Sequence, residues 1–198
     1  MRDSIRLFDN PLLERLTKAR PTTVVLVYAP VVAALLAISG PALGWAAAGW
    51  AALGLAAWTL FEYGMHRVAF HWPARSPWGR RLVFLMHGCH HADPGDPERA
   101  VMPPVASLPL AAACYGVAAL ALAAPLRDAA FAGFLFGYLH YDLTHWACHQ
   151  AHMAGPLGRR LKRHHLRHHY AGADGNYGGG HSFWDWAFGS VLGPRRPS

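Results

Sequence analysis

Charge is scarce in this chain and unevenly spread. Only 15% of its 198 residues are Asp, Glu, Lys or Arg, and residues 24–38 and 106–123 carry none. Carboxylates are scarcest, 11 against 18 Lys and Arg, for a formal charge of +7. A nucleic-acid partner is nevertheless excluded, because the basic residues flank apolar runs instead of forming a patch interleaved with aromatics on a polar fold. Cysteine is nearly absent. Cys89, Cys114 and Cys148 are the three present, too few for a disulfide framework, and read as small packing residues in a reducing setting. Residues 1–20 lack the apolar core and small-residue cleavage site of a secretory signal. They are amphipathic and basic, the composition of a segment lying on a membrane surface. No dinucleotide-binding fingerprint occurs.

What the chain has in excess is hydrophobic sequence, 53%, in long uninterrupted runs. That places it in the membrane class, and its length allows one domain, residues 21–198, behind the surface segment. At about 1.5 Å per residue the run 21–39 is long enough to cross a bilayer, and Gly40-Pro41 is expected to end it. A second run continues from 42 to about 63, a third covers 104–124 with Pro125 as its stop, and a fourth runs from about 128 to 147. The expected fold is all-α: four transmembrane helices in two hairpins, with a histidine-rich helical cap. Of the basic residues only Arg127 falls on the side of the two tight turns. The cap and both termini are therefore expected on the cytoplasmic side.

The second excess is histidine, fourteen in all. His71, His87, His90 and His91 are spaced 0, 16, 19, 20, and His149, His165, His168 and His169 repeat that spacing. His66 precedes the first series by five residues and His145 the second by four. Histidine beside a membrane span is costly unless it is partnered. Two matching sets of five point to two metal ions, or to one site with two halves. Two six-coordinate ions offer about twelve positions, so ten nitrogens leave roughly two for dioxygen, hydroxide or substrate. Imidazole suits iron, zinc, copper and nickel alike; iron is the one best matched to oxygen activation at an unactivated C–H bond. Glu62, one turn before His66, and Asp142, three residues before His145, are expected to accept imidazole N–H groups and fix the ring tautomers. His140, His152, His164 and His181 fall outside the repeat. A non-catalytic metal transporter would need polar residues through the spans, which residues 24–38 and 106–123 lack. A haem cytochrome would place its axial histidines within spans rather than as His-His pairs between them.

The segments EYGMHRVAFHW, MHGCHHADPGDPERAVMPP, YDLTHWACHQ and LKRHHLRHHY resemble the histidine boxes of the fatty acid hydroxylase/sterol desaturase superfamily. They look closest to its fatty acid 2-hydroxylase branch, and NYGGGHSFWDWAFGS is similar to that branch's closing segment. The resemblance covers about residues 60–190. It implies a four-helix membrane fold and a non-haem diiron centre held by His66, His71, His87, His90, His91, His145, His149, His165, His168 and His169. It also implies oxygen-dependent hydroxylation of a membrane lipid acyl chain, with dioxygen as co-substrate. A carotenoid ring hydroxylase or a sterol-type desaturase would use the same cage. With no fused cytochrome b5 domain expected, the electrons come from a separate ferredoxin-like or cytochrome b5-like carrier. The small alanine-rich chain looks bacterial, which implies the inner membrane.

Overall fold

The computed structural model describes residues 4–171 and 174–193. All the regular structure among them is helical: α1 Pro11–Leu16, α2 Pro21–Leu43, α3 Ala46–Gly64, α4 Pro77–Val83, α5 Cys89–Ala92, α6 Pro104–Ala121, α7 Ala124–Gln150, α8 Pro156–Tyr170 and α9 Phe183–Ala187. Two wider π-helical turns interrupt this series, Met65–Phe70 after α3 and Phe84–Gly88 between α4 and α5. Proline opens six of the helices at their first or second position, where its missing N–H costs nothing. Gly40-Pro41 does not end α2 as expected. Pro41 stands so near the helix end that only one late hydrogen bond is at stake, and the chain turns at Gly44, whose φ of 53° suits glycine.

Two helices, α2 and α6, are long and apolar enough to cross a membrane. Both turn most of their apolar surface outward, including Leu26, Ile38, Val117 and Leu120. Exposure on that scale suits lipid, not water. The buried helix is α7, which packs chiefly on α3 and α2. The two sequence hairpins are therefore not the packing units; α7 is the common partner. Small residues let it approach α3 closely. A Cβ on Gly133 would lie 1.8 Å from the Ala51 carbonyl oxygen, and one on Gly54 would lie 1.7 Å from that of Ala130. Trp58, Tyr138 and Tyr28 continue the core toward the histidines, with Tyr28 Oη donating to Ser107 Oγ on α6 at 2.8 Å.

The N-terminal segment is fastened across this end of the bundle. Asn10 caps α1, and Glu14 accepts the Leu7 and Phe8 amides and pairs with buried Arg99 at 2.5 Å. Leu12, Leu13 and Leu16 of α1 remain exposed.

Candidate metal centre

The ten expected histidines converge, but not in the two blocks in which the sequence writes them. His66, His71, His87, His91 and His168 form one group, and His90, His145, His149, His165 and His169 form the other. His90 and His168, the third member of each spaced series, have exchanged places. The cause is helical geometry: residues four apart share a face, whereas adjacent residues diverge by about 100°. His87 and His91, like His165 and His169, meet with Nε2 atoms 3.0 and 3.1 Å apart. The histidine next door in each pair must look elsewhere, and it looks into the opposite group.

The unequal leading intervals have a local cause as well. His145 and His149 stand four apart on α7. His66 and His71 stand five apart across a π-helical turn, where the His71 amide bonds the His66 carbonyl at 3.3 Å. A five-residue step there does what a four-residue step does on α7.

In each group the five ligand atoms lie within 4.8 Å of one another. In the first, the Nε2 contacts His66–His87, His91–His168 and His71–His168 are 3.0, 3.0 and 3.1 Å. In the second, His149–His165 and His90–His169 are 2.7 and 3.2 Å. Imidazole nitrogens bound at about 2.1 Å to one octahedral ion stand about 3 Å apart when adjacent and about 4.2 Å when opposite. The ring protons agree. The Nδ1 atoms of His66, His145 and His168 lie against the carbonyls of Tyr177, Ala100 and Gly175. A carbonyl only accepts, so Nδ1 carries the proton and Nε2 presents a lone pair. Buried His145 Nε2 then has no hydrogen-bond partner, and it faces the second group. Burial and the neighbouring imidazoles His168 and His71 push His91 down to about 3. Burial, partly offset by the Gly175 carbonyl, takes His168 to about 4. Both are neutral donors at pH 7, and the donor set fits two borderline metal ions.

Glu62 and Asp142 do not take the imidazole protons. Glu62 accepts the Gly179 amide at 2.8 Å, and Asp142 accepts the Met102 amide at 3.3 and 3.2 Å. Each carboxylate fixes a loop, and the loop's carbonyls orient the rings. Of the histidines outside the repeat, His164 bonds Asp185 at 2.9 Å, His181 lies 3.9 Å from Glu62, and His140 and His152 are exposed.

Sequence reasoning passed over Asp185, which organises the glycine-rich loop. It accepts four hydrogen bonds, from the Tyr177 and Gly178 amides, His164 Nε2 and Ser190 Oγ, at 2.7–2.9 Å. Asn176, at φ 55°, adds bonds to the His164 carbonyl and the Leu192 amide. A lone carboxylate within an aromatic run, downstream of Asn and glycines, was the available signal. Burial works to raise Asp185, but the hydrogen bonds from His164, Gly178, Ser190 and Tyr177 outweigh it and hold the carboxyl below its usual range. With the folded value depressed, its stabilisation is present above about pH 4 and lost as the pH falls through the folded value. Asp185→Asn should accordingly melt lower than the parent at pH 7, with the gap narrowing below pH 4. A constant gap across a melting series from pH 7 to pH 3 would show that the carboxylate charge is not what holds the loop.

A helical bundle with two membrane-length apolar helices and paired five-histidine groups defines a class of membrane-associated fatty acid-modifying oxidoreductases. The chain belongs to the fatty acid hydroxylase family, whose model matches residues 51–190. It is 35% identical over 194 residues to the dihydroceramide fatty acyl 2-hydroxylase FAH2 of Arabidopsis thaliana, covering 95% of this chain and 80% of that one. It is 38% identical over 198 residues to the ceramide very long chain fatty acid hydroxylase SCS7 of Saccharomyces cerevisiae, covering 98% of this chain and 51% of that one. The chain thus spans about half the length of the yeast protein. Human fatty acid 2-hydroxylase is 38% identical over 144 residues, 71% of this chain and 38% of its own. The solved structure of full-length scs7p, with only its hydroxylase domain visible, superposes with a TM-score of 0.88 at 36% identity, over 96% of this chain and 73% of that one. The chain is an oxidoreductase of fatty acid metabolism associated with membranes. These relatives are eukaryotic, so they lend no support to the expected bacterial origin.

Proposed function

We propose that this chain hydroxylates the acyl chain of a membrane lipid at the carbon next to the carbonyl, as the names of its relatives suggest. The observation that carries the reading is an apolar cavity of about 400 Å³ whose wall includes His87 from one group and His90 and His145 from the other. Leu7 and Phe8 of the N-terminal segment, Phe70, and Leu110 of α6 supply apolar wall, and the volume lies in the usual range for a small-molecule site, about 300–1,000 Å³. An acyl chain there lies against both cages. Tyr141 lines the same cavity and stacks on His145, with centroids 5.7 Å apart.

The ten histidines would hold two iron ions, which when bound supply dioxygen activation for C–H oxidation. The balance is one C–H converted to C–OH, with the second oxygen leaving as water. Two electrons and two protons come from outside the chain, the electrons from a separate ferredoxin-like or cytochrome b5-like carrier. This chain's own residues position and exclude. The Tyr177, Ala100 and Gly175 carbonyls keep the rings in one tautomer, and the apolar wall keeps bulk water from the reacting carbon. Four helices, α2, α3, α6 and α7, would span the bilayer, with the cap and termini on the cytoplasmic side where Lys and Arg gather. The exposed leucines of α1 would rest in the interface.

Lipid mass spectrometry of cells with and without the chain tests the reading. A gain of about 16 Da, one oxygen, on acyl chains is expected, and a loss of two hydrogens would mean desaturation instead. Ala106→Trp, which fills the cavity from α6, should cut product at least tenfold while leaving bound metal unchanged. Undiminished product from that variant would place the substrate elsewhere.

A further inference from the structure

A second concavity lies on the far side of α8 from the cages. Its volume is about 910 Å³, and Arg160, Arg163 and Arg167 line one wall while Phe183 and Trp186 line another. The arginines fall at i, i+3 and i+7, one face of α8. All three are exposed, and among the described residues none has an ion-pair or hydrogen-bond partner. No carboxylate lines the groove. His181, also in the lining, turns its Nε2 toward Glu62, 3.9 Å away, so the arginines are the groove's free donors.

We propose that this groove binds the phosphate headgroup of an anionic membrane lipid. Three unpaired guanidiniums offer planar, multiply donating contacts that match a phosphate. The opposite wall presents Phe183 and Trp186, apolar surface for the lipid's upper acyl segments. With α7 spanning as proposed above, the groove reaches bilayer level. His140 lines it from α7, ten residues before that helix ends at Gln150, or about 15 Å along the axis. The exposed Phe183, Trp186 and Phe188 have the composition of a membrane-interface belt. A basic pocket at this level on the side rich in Lys and Arg is where anionic lipid accumulates.

The site is coupled to the cages through its own wall. His164 lines the groove and donates to Asp185. Asp185 in turn holds the Tyr177 amide, in the loop whose carbonyls orient His66 and His168. A seated headgroup therefore braces that loop.

The test is the melting midpoint of the purified full chain in neutral detergent, titrated with phosphatidylglycerol, with phosphatidylcholine or with inorganic phosphate. Phosphatidylglycerol alone should raise the midpoint. R160Q/R163Q/R167Q should need about 100-fold more of it, about fivefold per arginine, with its lipid-free midpoint unchanged. R159Q, an exposed arginine of α8 outside the groove, should behave as the parent. Native mass spectrometry of the unmodified chain should show one phosphatidylglycerol retained, whatever the variants' yield. Equal shifts from both lipids, an equal response in the triple variant, or no retained lipid would overturn the proposal. A matching shift from inorganic phosphate would reassign the groove to a soluble anion and overturn the lipid.

Discussion

His90→Ala combined with His149→Ala should release one of two bound metal ions after a mild chelator wash, whereas His90→Ala combined with His71→Ala should keep nearly two. Read as continuous blocks, the sequence says the reverse, since His90 and His71 share the first spaced series. In space His90 lies with His145 and His149, ring centroids 4.5 and 4.7 Å away. His168 lies with His71 and His91, each at 4.8 Å. Removing His90 and His149 leaves three imidazoles in one group and five in the other. Removing His90 and His71 leaves four and four, and four imidazoles still make a full tetrahedral site. Both pairs should abolish hydroxylation, by at least about 100-fold, because orienting partners alone are worth roughly 10–100-fold and these are proposed ligands. Elemental analysis of the washed protein reads the difference directly. If the His90/His71 pair lost one ion and the His90/His149 pair kept both, each centre would be built from one sequence block and the exchange would be wrong.

That exchange marks how far the sequence could be read. The ten histidines were legible because spacing repeats along a chain, and the all-helical class because charge-free runs of that length leave few options. Which five rings meet was not legible, since it depends on the angle between adjacent side chains and on how α5 and α8 face each other. Glu62 and Asp142 were singled out for nearness in sequence, yet their oxygens serve the Gly179 and Met102 amides. Ring orientation falls to carbonyls of Ala100, Gly175 and Tyr177, and a backbone carbonyl has no signature in sequence. Asp185 was passed over for a similar reason: its four partners include two amides, of Tyr177 and Gly178. The turn at Gly44 was misplaced because Gly-Pro is a strong local breaker and the helix overrode it near its last turn.

Gly133→Leu, at the close crossing it shares with Gly54, should cost both folded protein and bound metal. The new Cβ would meet the Ala51 oxygen at 1.8 Å and its carbon at 2.5 Å. Both are backbone atoms of α3, so no rotamer relieves the clash and the helices must separate. Overpacking in a core that can adjust costs about 1–3 kcal/mol; a backbone that cannot adjust should exceed that. The consequence reaches the metal because the same two helices deliver four of the proposed ligands. Helix α3 leads straight into His66 and His71, and α7 carries His145 and His149 near its end. Prising α3 from α7 at Gly133 tilts both histidine platforms at once, about three turns away on α7 and about four on α3. Gly116→Leu on α6, where a Cβ meets nothing within 4 Å, should insert, fold and bind metal as the parent does. The pair separates steric clash from added bulk, read as melting midpoint and metal per chain on detergent-purified protein. A Gly133→Leu variant that melted with the parent would mean the close crossing of α3 and α7 does not set the distance between the ligand-bearing ends.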